Sequence, residues 1–167
     1  RGTTVHMQDK TMEIEKVRDK AVKEEALKKK LYVVGIGPGA YEQMKIRAAQ
    51  VLVECSVIAG YTVYIDLIKE HFPGREFLTT PMRQEKERCL MALETASRGK
   101  VTAMICSGDS GVYGMAGLIL LLAAGFPDVE VEVIPGVTAA LSGGAVLGAP
   151  LGHDFAVISL SDLLTPM

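Results

Sequence analysis

Short apolar runs alternate with longer amphipathic stretches from Leu31 onward, and glycine or proline stands near many of the junctions. Apolar runs of this kind are typical of buried strands, whereas apolar positions three or four residues apart are typical of helices. The runs predict strands at residues 31–34, 57–59, 76–78, 101–106, 129–133 and 155–160. The stretches between them predict helices at residues 41–55, 62–72, 82–98, 112–124 and 138–147.

The alternation of strand and helix indicates the fold class. Because a crossover helix joins parallel strands, we predict an α/β fold with a mostly parallel, five-stranded open sheet and helices on both faces. Residues 101–106 are apolar enough to lie at the centre of the sheet. Residues 129–133 alternate apolar and acidic side chains, which predicts an edge strand. Residues 155–160 are predicted to be the first strand of a second domain.

The chain divides into three parts by pattern and charge. Residues 31–150 are predicted to form the sheet domain, and residues 151–167 are predicted to be the start of a second, truncated domain. Residues 1–30 form an extra N-terminal segment with nine Lys/Arg against six Asp/Glu, while the rest of the chain has nine against fourteen. The apolar stripe of residues 10–30 is narrow, which favours an exposed or loosely docked helix over a partner-binding helix.

Composition narrows the classes of function. The net charge of −2 gives no general reason to expect nucleic acid or an anionic membrane as a partner. The charged N-terminus and the short apolar runs predict neither a signal peptide nor a membrane span. The three cysteines and three histidines lack the spacing of metal ligands, so we interpret the cysteines as structural and predict no metal site. Reduced cysteines favour a cytoplasmic location.

Three glycine-rich loops carry the candidate chemistry, because each follows a predicted strand and precedes a predicted helix. They are residues 35–39 (GIGPG), 107–114 (SGDSGVYG) and 134–140 (IPGVTAA). In an open α/β sheet such loops converge on one edge, where ligands bind. Glycine lets the backbone turn tightly and approach a ligand closely. We therefore predict a binding cleft formed by the three loops.

The residue types in these loops indicate what the cleft binds. Pro38 removes a backbone N–H where the pyrophosphate of a dinucleotide needs one, which argues against NAD or FAD. Asp109 suits a cationic or hydroxyl-rich ligand better than a phosphate; the alternative is that it caps the following helix. Thr138 is a candidate cap of the last predicted helix, and pure turn chemistry is the alternative reading of its loop.

Other polar residues are more ambiguous. Arg83 is either an anion contact, because guanidinium binds carboxylates in a bidentate manner, or a surface residue. Tyr61 and Tyr64 either line the cleft or pack in the core or at its boundary. Residues 86–88 (KER) are interpreted as a solvated helix face.

Five segments together closely resemble the tetrapyrrole methylases, and the resemblance runs from Leu31 to the end of the chain. The glycine loops are family-wide, whereas the GYTVY and TPMRQE segments and the SGVY version of the second loop are typical of the branch that methylates carbon C17 of precorrin-3B in cobalamin biosynthesis. The segments are residues 33–39 (VVGIGPG), 60–64 (GYTVY), 80–85 (TPMRQE), 108–114 (GDSGVYG) and 134–140 (IPGVTAA).

The resemblance implies two α/β domains with S-adenosylmethionine in the cleft between them and S-adenosylhomocysteine as its product. By motif match, the cofactor-binding residues carried here are Pro38, Ser107, Gly108, Asp109, Val112, Thr138 and Ala139. The residues assigned to the tetrapyrrole substrate are Gly37, Gly39, Tyr61 and Arg83, with Arg83 as an anchor for its acetate and propionate carboxylates. No catalytic residue is assigned, and Ala40 stands where some relatives place an aspartate proposed as a proton acceptor.

The resemblance also implies a reaction and an assembly. The reaction is methyl transfer to C17 of precorrin-3B, or of its cobalt form, linked to ring contraction, and relatives act as homodimers. Because the second domain supplies further cofactor contacts, the 167-residue chain alone is expected to be inactive. Two alternatives stay open: a folded but inactive fragment or half-site, and a nucleotide-binding α/β module with an interaction helix in residues 10–30.

Overall fold

The predicted apolar runs form one five-stranded parallel sheet in the computed structural model, which describes residues 29–159. In chain order the strands are β1 (Lys30–Gly35), β2 (Val57–Tyr61), β3 (Glu76–Thr80), β4 (Thr102–Cys106) and β5 (Glu130–Ile134). The helices are α1 (Ile46–Glu54), α2 (Thr62–Ile68), α3 (Glu85–Ser97), α4 (Ala116–Leu122) and α5 (Ala139–Val146). Single 3₁₀ turns lie at Tyr41–Gln43, Lys69–His71 and Ala123–Gly125.

The strand order is β3-β2-β4-β1-β5, and every pairing is parallel. Strand β4 lies in the middle and β5 lies at an edge beside β1, as their apolar and alternating patterns predicted. Val33 of β1 lies opposite Met104 of β4 and Val133 of β5. This order places the ends of β4, β1 and β5 side by side, which decides where their loops meet.

Helices cover both faces of the sheet, as predicted. On one face, buried side chains of α1 and α2 such as Leu52 and Ile68 pack with Val34 of β1. On the other, Leu93 of α3 and Ile119 of α4 join a separate cluster. Because successive side chains of a strand point to opposite faces, the continuous apolar runs supply both cores.

Two predicted helices begin later than their sequence pattern indicated. The stretch 41–55 forms a 3₁₀ turn and then α1, because Lys45 has an extended ψ of 136° between them. The stretch 112–124 becomes helical only at Ala116. Tyr113 has φ of +52°, in the left-handed region that a continuous helix does not contain. The second glycine loop therefore continues to Met115, and none of its residues belongs to the helix.

The sixth strand, predicted over residues 155–160, is wrong over Phe155–Ser159, which form neither strand nor helix. A strand needs a neighbour for its ladder, and none of the five strands described pairs with this segment. Instead, the Tyr113 hydroxyl donates to Val157 O at 3.1 Å and accepts from Ser159 N at 3.2 Å. Leu160 and the predicted helix up to residue 28 lie outside the described residues.

The acidic side chains of edge strand β5 are paired with basic neighbours. Lys30 Nζ lies 2.7 Å from carboxylate oxygens of both Glu130 and Glu132, and Arg47 reaches Glu132 at 3.5 Å. The hydrogen bonds that Lys30 donates to Glu130 and then to Glu132 raise the pKa of Lys30, and the second of them lowers the pKa of Glu132. The alternating pattern thus marks an ion-paired edge. Within residues 29–159 no helix is both long and apolar enough to cross a membrane.

All three cysteines are buried and free, and we expect them to react slowly with a thiol reagent in the native protein. Burial raises the pKa of Cys55 and Cys89 to about 12 and that of Cys106 to about 11, so thiolate is scarce at mildly alkaline pH. Because the folded protein keeps these thiols protonated, their contribution to the free energy of unfolding is complete below the ordinary pKa of 9.0. That contribution is lost as pH rises toward the raised values. Colour development with a disulfide reagent, with and without denaturant, measures the difference. Rapid labelling of a native thiol would contradict its burial.

Candidate functional site

The three glycine loops meet at the carboxyl edge of the sheet, where β4, β1 and β5 end beside one another. Gly37 N donates to Gly108 O at 2.9 Å, which joins the first loop to the second. Val137 N donates to Gly37 O at 3.5 Å, which joins the third loop to the first. The predicted convergence is therefore present, and it is held by backbone contacts.

Several of the glycines serve these contacts between loops. A Cβ on Gly35 would lie 2.6 Å from Gly136 N, and one on Gly37 would overlap Val137 O. A Cβ on Gly136 would overlap Gly108 O. Gly39 differs, because its φ is +143° and nothing lies within 4 Å of the position of its Cβ. Close packing between loops, rather than close approach to a ligand, thus requires three of the glycines.

Asp109 ties the second loop to itself and to the third. Its Oδ1 accepts from Gly111 N at 2.8 Å and from Val112 N at 3.1 Å, and its Oδ2 accepts from Gly136 N at 2.9 Å. The following helix begins only at Ala116, so Asp109 is not its cap. The carboxylate accepts hydrogen bonds from three backbone amides and thereby fixes the conformation of the cleft wall.

Thr138 and Ser110 complete the framework. The Thr138 side chain accepts from Ala140 N at 3.4 Å at the start of α5, as predicted for a cap. Ser110 is fully buried, and its hydroxyl donates to Ile134 O at 3.1 Å. Nothing in the sequence pattern distinguished Ser110 from any other serine in a loop. Its role depends on the end of β5, which lies next to it in the fold.

A cavity of about 500 Å³, here called the loop cavity, lies between the second and third loops. Its volume is within the range of small-molecule sites. Six of the seven predicted cofactor residues line it, and Pro38 does not. Its lining comprises Ser107, Gly108, Asp109, Val112, Tyr113, Thr138, Ala139, Ala140, Val157, Ile158 and Ser159.

The loop cavity offers hydroxyl, backbone and apolar contacts. None of its lining residues is Lys or Arg, and its one carboxylate, that of Asp109, is already hydrogen-bonded to three amides. Phosphate groups are bound in proteins mainly by Lys, Arg and free amides at helix starts. This donor set suits a nucleoside-sized ligand without phosphates, and a positively charged group fits it better than an anion.

A second cavity of about 290 Å³, here called the tyrosine cavity, adjoins the first because Ser107 and Tyr113 line both. Tyr61, one of the predicted substrate residues, lines the tyrosine cavity together with Tyr64 and Arg88. The Tyr61 and Tyr64 rings pack edge to face with centroids 5.3 Å apart. The carboxyl ends of β2 and β4 thus supply a polar, aromatic chamber beside the loop cavity.

The other predicted substrate residues lie elsewhere. Gly37 is buried between the loops and lines neither cavity. Gly39 and the exposed Pro38 lie at the tip of the first loop, away from both linings. Arg83 is exposed in the turn after β3 with φ of +67°, and faces a groove along α3. Of the four predicted substrate residues, Tyr61 alone therefore lines one of the two cavities.

The interpretation of residues 86–88 as a solvated face is wrong for Arg88, which is 5% exposed. Its Nε donates to Thr80 Oγ1 at 2.8 Å and its Nη2 donates to Pro81 O at 3.0 Å. Its guanidinium carbon lies 5.8 Å from the centre of the Tyr61 ring. No local pattern reveals this, because α3 turns Arg88 inward against β3 and β2.

No group of three or more His, Cys, Asp or Glu is placed to hold a metal ion in the part of the chain that the structure describes.

Comparison with known proteins gives one family. The family model described as tetrapyrrole (corrin/porphyrin) methylases matches residues 30–167. A protein of Salmonella typhimurium named probable cobalt-factor III C(17)-methyltransferase is 47% identical over 137 residues, which are 81% of this chain and 57% of that protein.

Solved structures agree with that match. The crystal structure of the methyltransferase CobJ has a TM-score of 0.74 at 37% identity, over 81% of this chain and 58% of that one. A uroporphyrin-III C-methyl transferase of Thermus thermophilus, complexed with S-adenyl homocysteine, has a TM-score of 0.56 at 28% identity, over 69% of this chain and 48% of that one. The chain thus spans between about half and three fifths of the length of these relatives.

Proposed function

The chain belongs to the tetrapyrrole methylase family, and we propose that it carries the donor-binding loops for S-adenosylmethionine-dependent methylation of C17 of a precorrin. The substrate is precorrin-3B or its cobalt form, and methylation is linked to ring contraction. The cobalt form is favoured by the name of the Salmonella relative, a cobalt-factor III methyltransferase. Cobalt is here part of the substrate.

The chemistry of the loop cavity is the observation that carries this proposal. A sulfonium donor is a positively charged nucleoside derivative without phosphates, and the cavity has hydroxyl and backbone groups but no Lys or Arg in its lining. NAD and ATP carry several negative charges that such a lining leaves uncompensated. We assign Ser107, Gly108, Asp109, Val112, Thr138 and Ala139 to the donor, and the assignment of Pro38, which lies outside the lining of the cavity, rests on the motif match alone.

The residues of this chain contribute to the reaction mainly by holding the reactants in position. When bound, a sulfonium donor supplies a methyl group that is bonded to a good leaving group, the positively charged sulfur. Asp109 and the glycine contacts hold the loops in one arrangement, and alignment of reacting atoms can lower a barrier substantially. Ser107 and Tyr113 lie in both cavities, so a donor in the loop cavity and a substrate group in the tyrosine cavity share one wall. No side chain here is assigned as a base.

Assembly and location form part of the same proposal. We propose a homodimer, supported by α5, which has no buried residue and leaves Val146 and Leu147 more than four-fifths exposed. Exposed apolar side chains of this kind favour contact with another surface. We propose a cytoplasmic location, supported by the three free, buried cysteines, which suit a reducing compartment.

Calorimetric titration of the chain with S-adenosylhomocysteine, NAD and ATP tests the assignment of the loop cavity. We expect S-adenosylhomocysteine to bind and the two phosphate-bearing ligands to bind at least about tenfold more weakly, because no lining cation offsets their charge. Leu121→Ala is a matched control, because Leu121 is 73% exposed and lines neither cavity. Tighter binding of NAD or ATP would favour the nucleotide-binding alternative and contradict the proposal.

A further inference from the structure

Arg88 carries a buried positive charge beside the proposed donor site. It lies on α3 and is 5% exposed, yet it lines the tyrosine cavity. Within residues 29–159 no carboxylate forms an ion pair with it at 4.0 Å or less. Burying an unpaired charge is costly, so proteins normally pair such a group or use it to bind an opposite charge.

The hydrogen bonds of Arg88 fix its guanidinium and leave donors free. Thr80 and Pro81 accept from Nε and Nη2, which uses two of the five N–H groups that arginine offers. The Tyr61 ring lies at 5.8 Å and further orients the group. A guanidinium held in this way, on a residue that lines a cavity, can donate to both oxygens of a carboxylate.

Glu85 also lines the tyrosine cavity, but its carboxylate is directed elsewhere. Its Oε1 accepts from Arg83 N at 3.2 Å, at the start of α3. The shared wall of Ser107 and Tyr113 places the Arg88 chamber next to the loop cavity. A carboxylate can reach this chamber from two sources: the amino-acid end of the methyl donor, or an acetate or propionate of the tetrapyrrole.

We propose that Arg88 is the carboxylate-binding residue of this site, which is the role that the sequence motif had predicted for Arg83. The inference rests on the proposed function, since both sources of the carboxylate belong to that reaction. It assigns the tyrosine cavity to a negatively charged group of a bound reactant. Arg88 acts as a binding residue.

Three probes separate the two sources. S-adenosylhomocysteine carries the amino-acid carboxylate, 5′-methylthioadenosine has the same nucleoside without it, and uroporphyrin carries acetate and propionate groups. Their affinities are measured for the wild-type chain and for Arg88→Gln by calorimetry or fluorescence. We expect Arg88→Gln to weaken binding of S-adenosylhomocysteine or uroporphyrin by about 10- to 100-fold and to leave methylthioadenosine within about twofold. Which probe weakens identifies the source.

Three further variants separate charge from packing. Arg88→Lys keeps the charge and is expected to recover part of the lost affinity. Thr80→Val removes the bond at 2.8 Å but keeps the guanidinium, and Arg98→Gln makes the same substitution at an exposed position just beyond α3. Thr80→Val keeps the charge but removes one of the bonds that fix it, so we expect it to lose less affinity for the carboxylate-bearing probes than Arg88→Gln does. Arg98→Gln is expected to bind every probe within about threefold of wild type. Thermal unfolding checks that each variant is folded.

The outcomes are distinct. Unchanged affinity of Arg88→Gln for all probes overturns the inference, and so does an equal loss for all three, which would indicate damage to the cavity. If the wild-type chain binds methylthioadenosine and S-adenosylhomocysteine, the proposed function stands whatever the result for Arg88. If it binds none of the probes, the proposed function falls and this inference falls with it.

Discussion

Gly136→Ala is expected to destabilise the chain by about 3 kcal/mol and to weaken S-adenosylhomocysteine binding by about tenfold or more. The added methyl group would overlap Gly108 O and lie 2.7 Å from the carbonyl carbon and oxygen of Gly35. These are backbone atoms of the two other loops, so no side chain can turn away to make room. Relief requires separation of the loops, and that separation changes the loop cavity. Denaturant unfolding and calorimetry measure the two effects.

Gly117→Ala is the matched control for this substitution. Gly117 lies in α4, and nothing within 4 Å meets the position of its Cβ. Alanine is a better helix former than glycine, so we expect stability to rise by up to about 1 kcal/mol with no change in binding. If Gly136→Ala behaved like Gly117→Ala, the close packing of the three loops described here would be wrong.

The sheet was predictable because its signals are local. A run such as residues 101–106 is apolar on both faces, and only a central strand covered by two layers of helix allows that. The edge position of β5 could be predicted equally well, because glutamates alternate with apolar residues along the strand. Helix starts were less accurate, because Lys45 and Tyr113 adopt backbone angles that their residue types do not demand. Residues 155–160 resembled a strand in composition but find no strand neighbour up to Ser159.

The location of the site could be predicted from the sequence, whereas the contacts within the site could be predicted less well. The loops follow neighbouring strands, so their convergence depends only on strand order. The partners of Asp109 and Arg88 depend on how separate segments pack, and no spacing in the sequence records that. Arg83 and Arg88 lie five residues apart near the start of the same helix, yet one is exposed and the other is buried. Motif matching identified the region and assigned the anchor role to Arg83, which stays a prediction, whereas the burial of Arg88 was not predicted.

Asp109→Ala is expected to cost about 2 kcal/mol of stability and to reduce S-adenosylhomocysteine binding at least about tenfold. It removes the acceptor of three backbone amides, of which Gly136 N at 2.9 Å is the one that joins two loops. Water can reach the exposed amides of Gly111 and Val112, so most of the loss is expected at Gly136. The second and third loops would then no longer be held at one separation.

Asp109→Asn and Asp128→Asn divide this effect into its parts. Asparagine at 109 keeps one oxygen for Gly111 and Val112 but has only one carbonyl acceptor, so the bond to Gly136 N is lost. We expect it to bind S-adenosylhomocysteine almost as weakly as Asp109→Ala, because the bond between loops is the one that shapes the cavity. Asp128→Asn removes the same charge at an exposed position whose ion-pair partner is Lys29, and is expected to bind normally. Wild-type affinity in Asp109→Asn would show that the bond to Gly136 is dispensable, and the shape of the loop cavity would then depend on the glycine contacts alone.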